Sequence, residues 1–179
     1  MKRLFFLFLI VFAISCNNAG TSSTDTKKDS AASTSTAEAT PNYPYSITHP
    51  DNWDIGSKAN TLTALSALKA WELGKMDESV SYFADSVLAQ FDALDKKMPK
   101  DSLKAMFSGL WNSYKTVHIE MQDWESVIAK DKSEEWVTLW YKQHTETKKG
   151  VKDSASIIND IQLKNGKIIQ LVEYTRKLH

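Results

Sequence analysis

Apolar positions fall into distinct regimes along the chain, and each regime predicts a different kind of element. Leu4 to Ile14 is an unbroken apolar run of 11 residues. That is too short for a membrane-spanning helix, which needs about 20. Asn17 to Asn42 is the reverse: it contains no Leu, Ile, Val, Met, Phe, Trp or Tyr. Such a stretch cannot bury enough apolar surface to offset its ordering entropy, so it is expected to be a flexible tether. Its 26 residues span about 27 Å on average as a polar coil.

From Tyr43 the apolar residues return. Pro44, Pro50 and Trp53 suggest an extended lead-in. Ser57 is placed to cap a helix. In that helix Ala64, Leu65, Leu68 and Trp71 share one stripe, and Gly74 suits the position just past its end. A short second helix has Asp77 and Glu78 in its first turn, where negative charge is favoured. Met76, Val80, Phe83 and Ala84 fall on one face of it. Ser86 to Phe91 predicts a strand. Pro99 and Asp101 introduce a third helix, with Asp101 as its expected cap. Leu103, Met106, Phe107, Leu110 and Trp111 give it the clearest helical period in the chain.

After Tyr114 the period changes to two. Val117, Ile119 and Met121 alternate with polar residues; then the phase slips and Trp124, Ser126 and Ile128 take over. A slip inside one long strand predicts a bulge near Gln122-Asp123. Asp131-Lys132-Ser133 is a turn. Trp136 to Thr147 and Ser154 to Leu163 are strands. Asn165-Gly166 is a hairpin signal, and Ile168 to Arg176 is the last strand. Helices gathered in the first half, followed by four antiparallel strands, make an α+β domain.

Composition narrows the partners. The whole chain has 22 basic and 22 acidic side chains. Without Lys2 and Arg3 the balance is about −2. Nothing in this balance favours nucleic acid as a partner, which needs a basic face. Cys16 is the single cysteine, so the folded body has no disulfide and no thiol nucleophile.

Lys2 and Arg3, the short apolar run and Ala13-Ile14-Ser15-Cys16 together resemble the lipobox of bacterial lipoproteins. The resemblance implies cleavage after Ser15, lipidation of Cys16 and anchoring in a membrane. By analogy with such lipoproteins in enteric bacteria, where Asp after the Cys retains the protein in the inner membrane, the resemblance implies through Asn17 an outer-membrane destination, with the domain facing the periplasm. The expected organisation is a signal peptide over 1–15, a lipidated Cys and tether over 16–42, and one domain over 43–179.

Two local sequences carry a second resemblance. The first is Leu73-Gly74-Lys75-Met76-Asp77 followed by Tyr82-Phe83-Ala84-Asp85-Ser86-Val87. The second is Lys164-Asn165-Gly166-Lys167-Ile168 with Glu173-Tyr174 beyond it. In this order they resemble the nuclear transport factor 2-like superfamily, including SnoaL-like proteins. The resemblance implies a curved antiparallel sheet wrapped around three helices, with a conical pocket between them. It includes steroid isomerases, cyclases, dehydratases and binding domains. In the isomerase relative a Tyr and an Asp carry the proton chemistry. The matching positions here are Ala67 and Phe91, which have no ionisable group. Asp92 is one residue on, which turns it to the other face. The second oxyanion acid falls near Ile158 or Asn159, and of these only Asn159 can donate a hydrogen bond.

The candidate lining of the pocket is Trp71, Phe91, Trp111, Trp124, Trp140 and Tyr174, with His144 and Asn159 as candidate polar groups. The same aromatics can instead be read as plain core. His144 shares a strand face with Trp136 and Trp140. It is a pocket base on one reading and a half-exposed or core-satisfied histidine on the other. A His-Asp dyad requires His144 or His118 near Asp160 or Asp123. His49, His118, His144 and His179 lack metal-ligand spacing, and no phosphate loop, zinc motif or nucleophile elbow is present. No catalytic residue, metal or cofactor is assigned.

The leading expectation is a membrane-anchored, non-enzymatic domain that binds a small apolar molecule, or a partner through its outer sheet face, including a second copy. The alternatives are an acid–base enzyme of isomerase, cyclase or dehydratase type on a cyclic substrate, and a structural envelope subunit. An enzyme needs two ionisable side chains converging in the cone. A binder needs a cavity of roughly 300 Å³ or more. A structural subunit needs a filled cone.

Overall fold

The structure, a computed structural model, describes residues 42–47 and 52–178. The expected signal peptide, Cys16 and most of the tether lie outside them. One compact unit runs from Tyr45 to His179. Its elements are β1 (Trp53–Ile55), α1 (Lys58–Glu72), α2 (Met76–Ser81), β2 (Phe83–Phe91), β3 (Leu94–Pro99), α3 (Lys100–Trp111), β4 (Tyr114–Ala129), β5 (Glu135–Thr147), β6 (Lys152–Lys164) and β7 (Lys167–Lys177).

The first helix starts and stops where its chemistry dictates. Ser57 Oγ accepts from the amides of Ala59 and Asn60 at 3.1 and 3.4 Å, satisfying donors that have no partner inside the helix. At the other end Lys75 N–H donates to the Ala70 carbonyl, and Gly74 N–H to that of Trp71, each at 2.9 Å. This double closure needs a left-handed residue between, and Gly74 supplies it with φ +73°. The Trp111 ring packs over the same glycine so closely that an added Cβ would sit 2.8 Å from it.

The seven strands form one sheet in the order β1-β4-β5-β6-β7-β2-β3. All neighbours are antiparallel except β2 and β7, which are parallel. The bulge expected near Gln122-Asp123 is present: Met121 pairs with Tyr141 and Asp123 with Trp140, leaving Gln122 unpaired. Asn165 and Gly166 both have positive φ, 52° and 72°, as a two-residue hairpin turn requires.

Three expectations are corrected. Asp101 is not the cap of α3. Pro99 holds that position without a side-chain bond, and Asp101 sits in the first turn, where it still meets the positive helix end. Strand β2 begins at Phe83, so Phe83 and Ala84 leave the face of α2 and join the sheet. Strands β1 and β3 were not foreseen. Of Leu94-Asp95-Lys96-Lys97-Met98-Pro99 only Met98 is buried. A charged edge strand of this kind protects the sheet from further pairing but hides the period-two signal.

The core lies between the helices and the inner face of the sheet. Val137, Leu139 and Tyr141 of β5, Ile157 and Ile161 of β6, and Leu171 of β7 point inward and pack against Ala64, Ala67, Leu103 and Phe107.

Candidate functional site

The inner face of the sheet does not fill the cone. A cavity of about 400 Å³ remains between α1, α3 and strands β5–β7. Its walls are largely apolar. Phe107 of α3 meets Phe83 edge-on at a centroid distance of 6.1 Å and Phe91 at 6.4 Å. These two contacts tie α3 to both ends of β2 and fix one side of the cavity.

One corner is polar. Asn159 of β6 stands directly opposite Glu173 of β7, and Phe91 of β2 is Glu173's partner on the other side. Residues directly opposite in a ladder point to the same face with Cβ atoms about 5 Å apart. Asn159 and Glu173 therefore both enter the cavity, where Tyr141 and Gln143 of β5 join them. Asn159 Nδ2 donates to Tyr141 Oη at 3.1 Å. Asn159 Oδ1 is buried without a partner. Thr175 Oγ1 donates to Glu173 Oε1 at 3.3 Å.

Burial disfavours charge here. It pushes the Glu173 carboxyl above its ordinary range, against the weaker opposing bond from Thr175. Burial also drives the Tyr141 phenol well above its ordinary range, and the nearby Glu173 carboxylate adds to this. Tyr141 is thus a neutral hydroxyl at any physiological pH.

Of the residues expected to line the pocket, the structure places Trp71, Phe91 and Asn159 on the cavity. The other five lie elsewhere. Trp111 covers Gly74. Trp124 borders a second hollow of about 290 Å³ with Leu65, Met121 and Glu72. Trp140, His144 and Tyr174 have the opposite pleat phase to Tyr141, Gln143 and Glu173, so they face outward. Trp140, Ile158 and Tyr174 form a cross-strand row on that outer surface.

Neither histidine forms a dyad with Asp160 or Asp123. His144 Nδ1 meets Ser154 Oγ at 2.8 Å and its Nε2 lies 3.6 Å from Glu120. His118 Nδ1 lies 3.5 Å from Glu72. Asp160 instead accepts from Thr138 at 2.7 Å, and Asp123 from the Trp124 amide. Among the described residues no cluster of three or more His, Cys, Asp and Glu could hold a metal ion.

Tyr141, Gln143 and Glu173 were missed by sequence reasoning. The bulky phase of β5, with Trp136 and Trp140, drew the reading to the wrong face. The aliphatic phase, Val137-Leu139-Tyr141, was the available signal. Glu173 is harder to find. Counting back from the Asn165-Gly166 turn would set Asn159 opposite Val172. The pairing slips between Leu163–Ile168 and Gln162–Gln170, and this single irregularity brings Glu173 to Asn159.

Neither a protein-family model nor a curated protein sequence matches the chain. Solved structures do match. A nuclear transport factor 2-like protein of unknown function from Exiguobacterium sp. superposes with a TM-score of 0.55 at 12% identity, covering 64% of this chain and 98% of that one. A Mycobacterium tuberculosis protein in complex with estradiol-17β-hemisuccinate gives 0.54 at 12% identity, covering 66% of this chain and 94% of that one. An epoxide hydrolase of the same organism gives 0.53 at 8% identity, covering 67% and 84%. At such identities the likeness shows the fold, the α+β cone of the nuclear transport factor 2-like proteins. Because these neighbours include both a ligand complex and an enzyme, the fold does not choose between the roles.

Proposed function

We propose that this chain is a membrane-anchored binding domain that holds a small, mostly apolar molecule in its cone and orients it by one polar corner. The observation that carries the reading is the cavity of about 400 Å³ with a single polar corner. Apolar walls with a few converging polar groups are the usual form of a ligand site. A structural subunit would have its cone filled. The mycobacterial neighbour's complex with estradiol-17β-hemisuccinate agrees with this reading only in that a cone of this fold takes up a largely apolar body. The anchor rests on the sequence around Cys16 alone.

Native mass spectrometry of the full chain, purified gently from its own host, tests the reading. A retained small molecule is expected. It should be lost in Ala67→Leu, which extends a side chain from α1 into the cavity. An empty wild-type cone that also takes up no apolar probe would overturn it.

A second reading, acid–base catalysis, is favoured by one feature: the raised Glu173 carboxyl beside the Tyr141 hydroxyl. A carboxyl whose affinity for a proton is raised by burial, with a neutral donor beside it, is suited to moving a proton next to a carbonyl. This reading predicts hydrogen–deuterium exchange at the α-carbon of a cyclic ketone probe, abolished in Glu173→Gln. Exchange at the same rate in both proteins would eliminate it.

A further inference from the structure

The cavity is unbalanced both in charge and in hydrogen bonding. Its lining contains one carboxylate, Glu173, and no Lys, Arg or His. Among the described residues Glu173 forms no ion pair, and its hydrogen bond is with neutral Thr175. Across the ladder from it, Asn159 Oδ1 is a buried acceptor without a donor, while Asn159 Nδ2 donates to Tyr141. This corner therefore presents acceptors in need of a donor, and negative charge in need of a cation. Around it stand the rings of Trp71, Phe91, Phe107, Tyr114 and Tyr141, whose faces attract cations.

We infer that the ligand is a protonated lipophilic amine, with its ammonium at Glu173 and Asn159 Oδ1 and its hydrocarbon body among the rings. The inference rests on the binding reading above and adds the ligand's charge to it. A neutral hydrocarbon leaves the carboxylate uncompensated. A carboxylate ligand meets like charge. An alcohol brings one donor and no charge. An ammonium group brings several N–H donors and the missing positive charge together, and charge-assisted bonds are about twice as strong as neutral ones.

The same geometry links binding to protons. Burial favours the protonated form of the free Glu173, whereas an ammonium partner favours the ionised form. Binding should therefore release a proton wherever the free group is still protonated. The other titratable groups facing Glu173 across the cavity are Tyr141 of β5 and Tyr114 of β4; α1, α2, α3, β2, β3 and β6 add none to the lining. Burial drives the Tyr141 phenol upward, so it stays neutral over the range in which a carboxyl titrates.

Calorimetry of the full-length protein with adamantylamine and adamantanol, which differ by an ammonium for a hydroxyl, tests the inference. The amine should bind at least about tenfold more tightly, the low end for a close, desolvated charge pair. That preference should vanish in Glu173→Gln and should weaken in the wild type as falling pH protonates Glu173. Equal binding of the two probes, or preference for the alcohol, overturns the inference and leaves apolar binding intact. Binding of neither overturns both. Should Glu173→Gln not fold, the wild-type pH series decides: a preference unchanged by acidification overturns the inference.

Discussion

Glu173 is a costly residue to keep in a cavity whose walls are largely apolar. Its folded-state carboxyl lies above the ordinary range, so its favourable contribution is fully present below the unfolded value and is lost as pH rises through the folded one. At neutral pH the free protein carries that penalty. Glu173→Gln removes the charge while keeping the shape. It should stabilise the unliganded protein at neutral pH by about 1 kcal/mol, the low end for a poorly compensated polar group that is half-buried. In a domain of this size that is about 3 °C in Tm. The gain should shrink to nothing below about pH 4, where the wild-type carboxyl is protonated in both states. Thermal melts of both proteins across this range measure it, and an equal gain at every pH would show the charge to be irrelevant. A stability gain joined to lost binding is the usual mark of a residue kept for function.

At the scale of elements, the exposed edge of β4 shows how one helix end secures a strand. Short β1 covers only Val127 to Ala129. Further back along β4, the carboxylate of Glu72, at the end of α1, accepts the Ile119 amide at 2.9 Å and pairs with Lys69 at 2.6 Å. Burial alone would raise its pKa. The Lys69 bond, the Ile119 amide and the charges of Lys69 and His118 outweigh burial and hold it below the ordinary range. The sign is opposite to that of Glu173: this contribution is present above the unfolded value and is lost as pH falls through the folded one. Glu72→Gln should cost about 1–2 kcal/mol at pH 7, with faster hydrogen exchange at the Ile119 amide. The deficit should close toward pH 3, and denaturant titrations at both pH values measure it. None of this is visible in the sequence, because Glu72 and Ile119 are 47 positions apart. What is visible is local: the Ser57 cap, the Gly74 stop, the slip at Gln122 and the Asn165-Gly166 hairpin each follow from a few adjacent residues. The curved sheet was legible for that reason. The cavity was legible as a space but not in its chemistry. Which pleat phase faces inward is decided by the helices that cover the sheet, and the partner of Asn159 is decided by one skipped residue in β7. The heavy aromatics, which looked like a lining, sit partly on the outer surface.

The whole molecule adds the question of where the cone is held. The described residues contain no helix long and apolar enough to cross a membrane. The proposed anchor depends instead on Cys16, which lies outside them. Leu4 to Ile14, at 11 residues, is about half the length a span requires, and the expected cleavage after Ser15 removes it, so the proposed attachment rests on the lipid at Cys16. Stable anchoring by acyl chains needs more than one attachment signal or chain. Removing the acceptor thiol should therefore abolish attachment rather than weaken it. Cys16→Ser should move the protein from the detergent phase to the aqueous phase on phase partition. Its intact mass should lack the lipid adduct, while its melting behaviour and its affinity for an apolar probe stay those of the wild type, since the compact unit begins only at Tyr45. If Cys16→Ser partitions with detergent as firmly as the wild type, the lipid is not the anchor, and a surface of the folded unit must hold the membrane. The outward row of Trp140, Ile158 and Tyr174 would then be the first place to introduce charge.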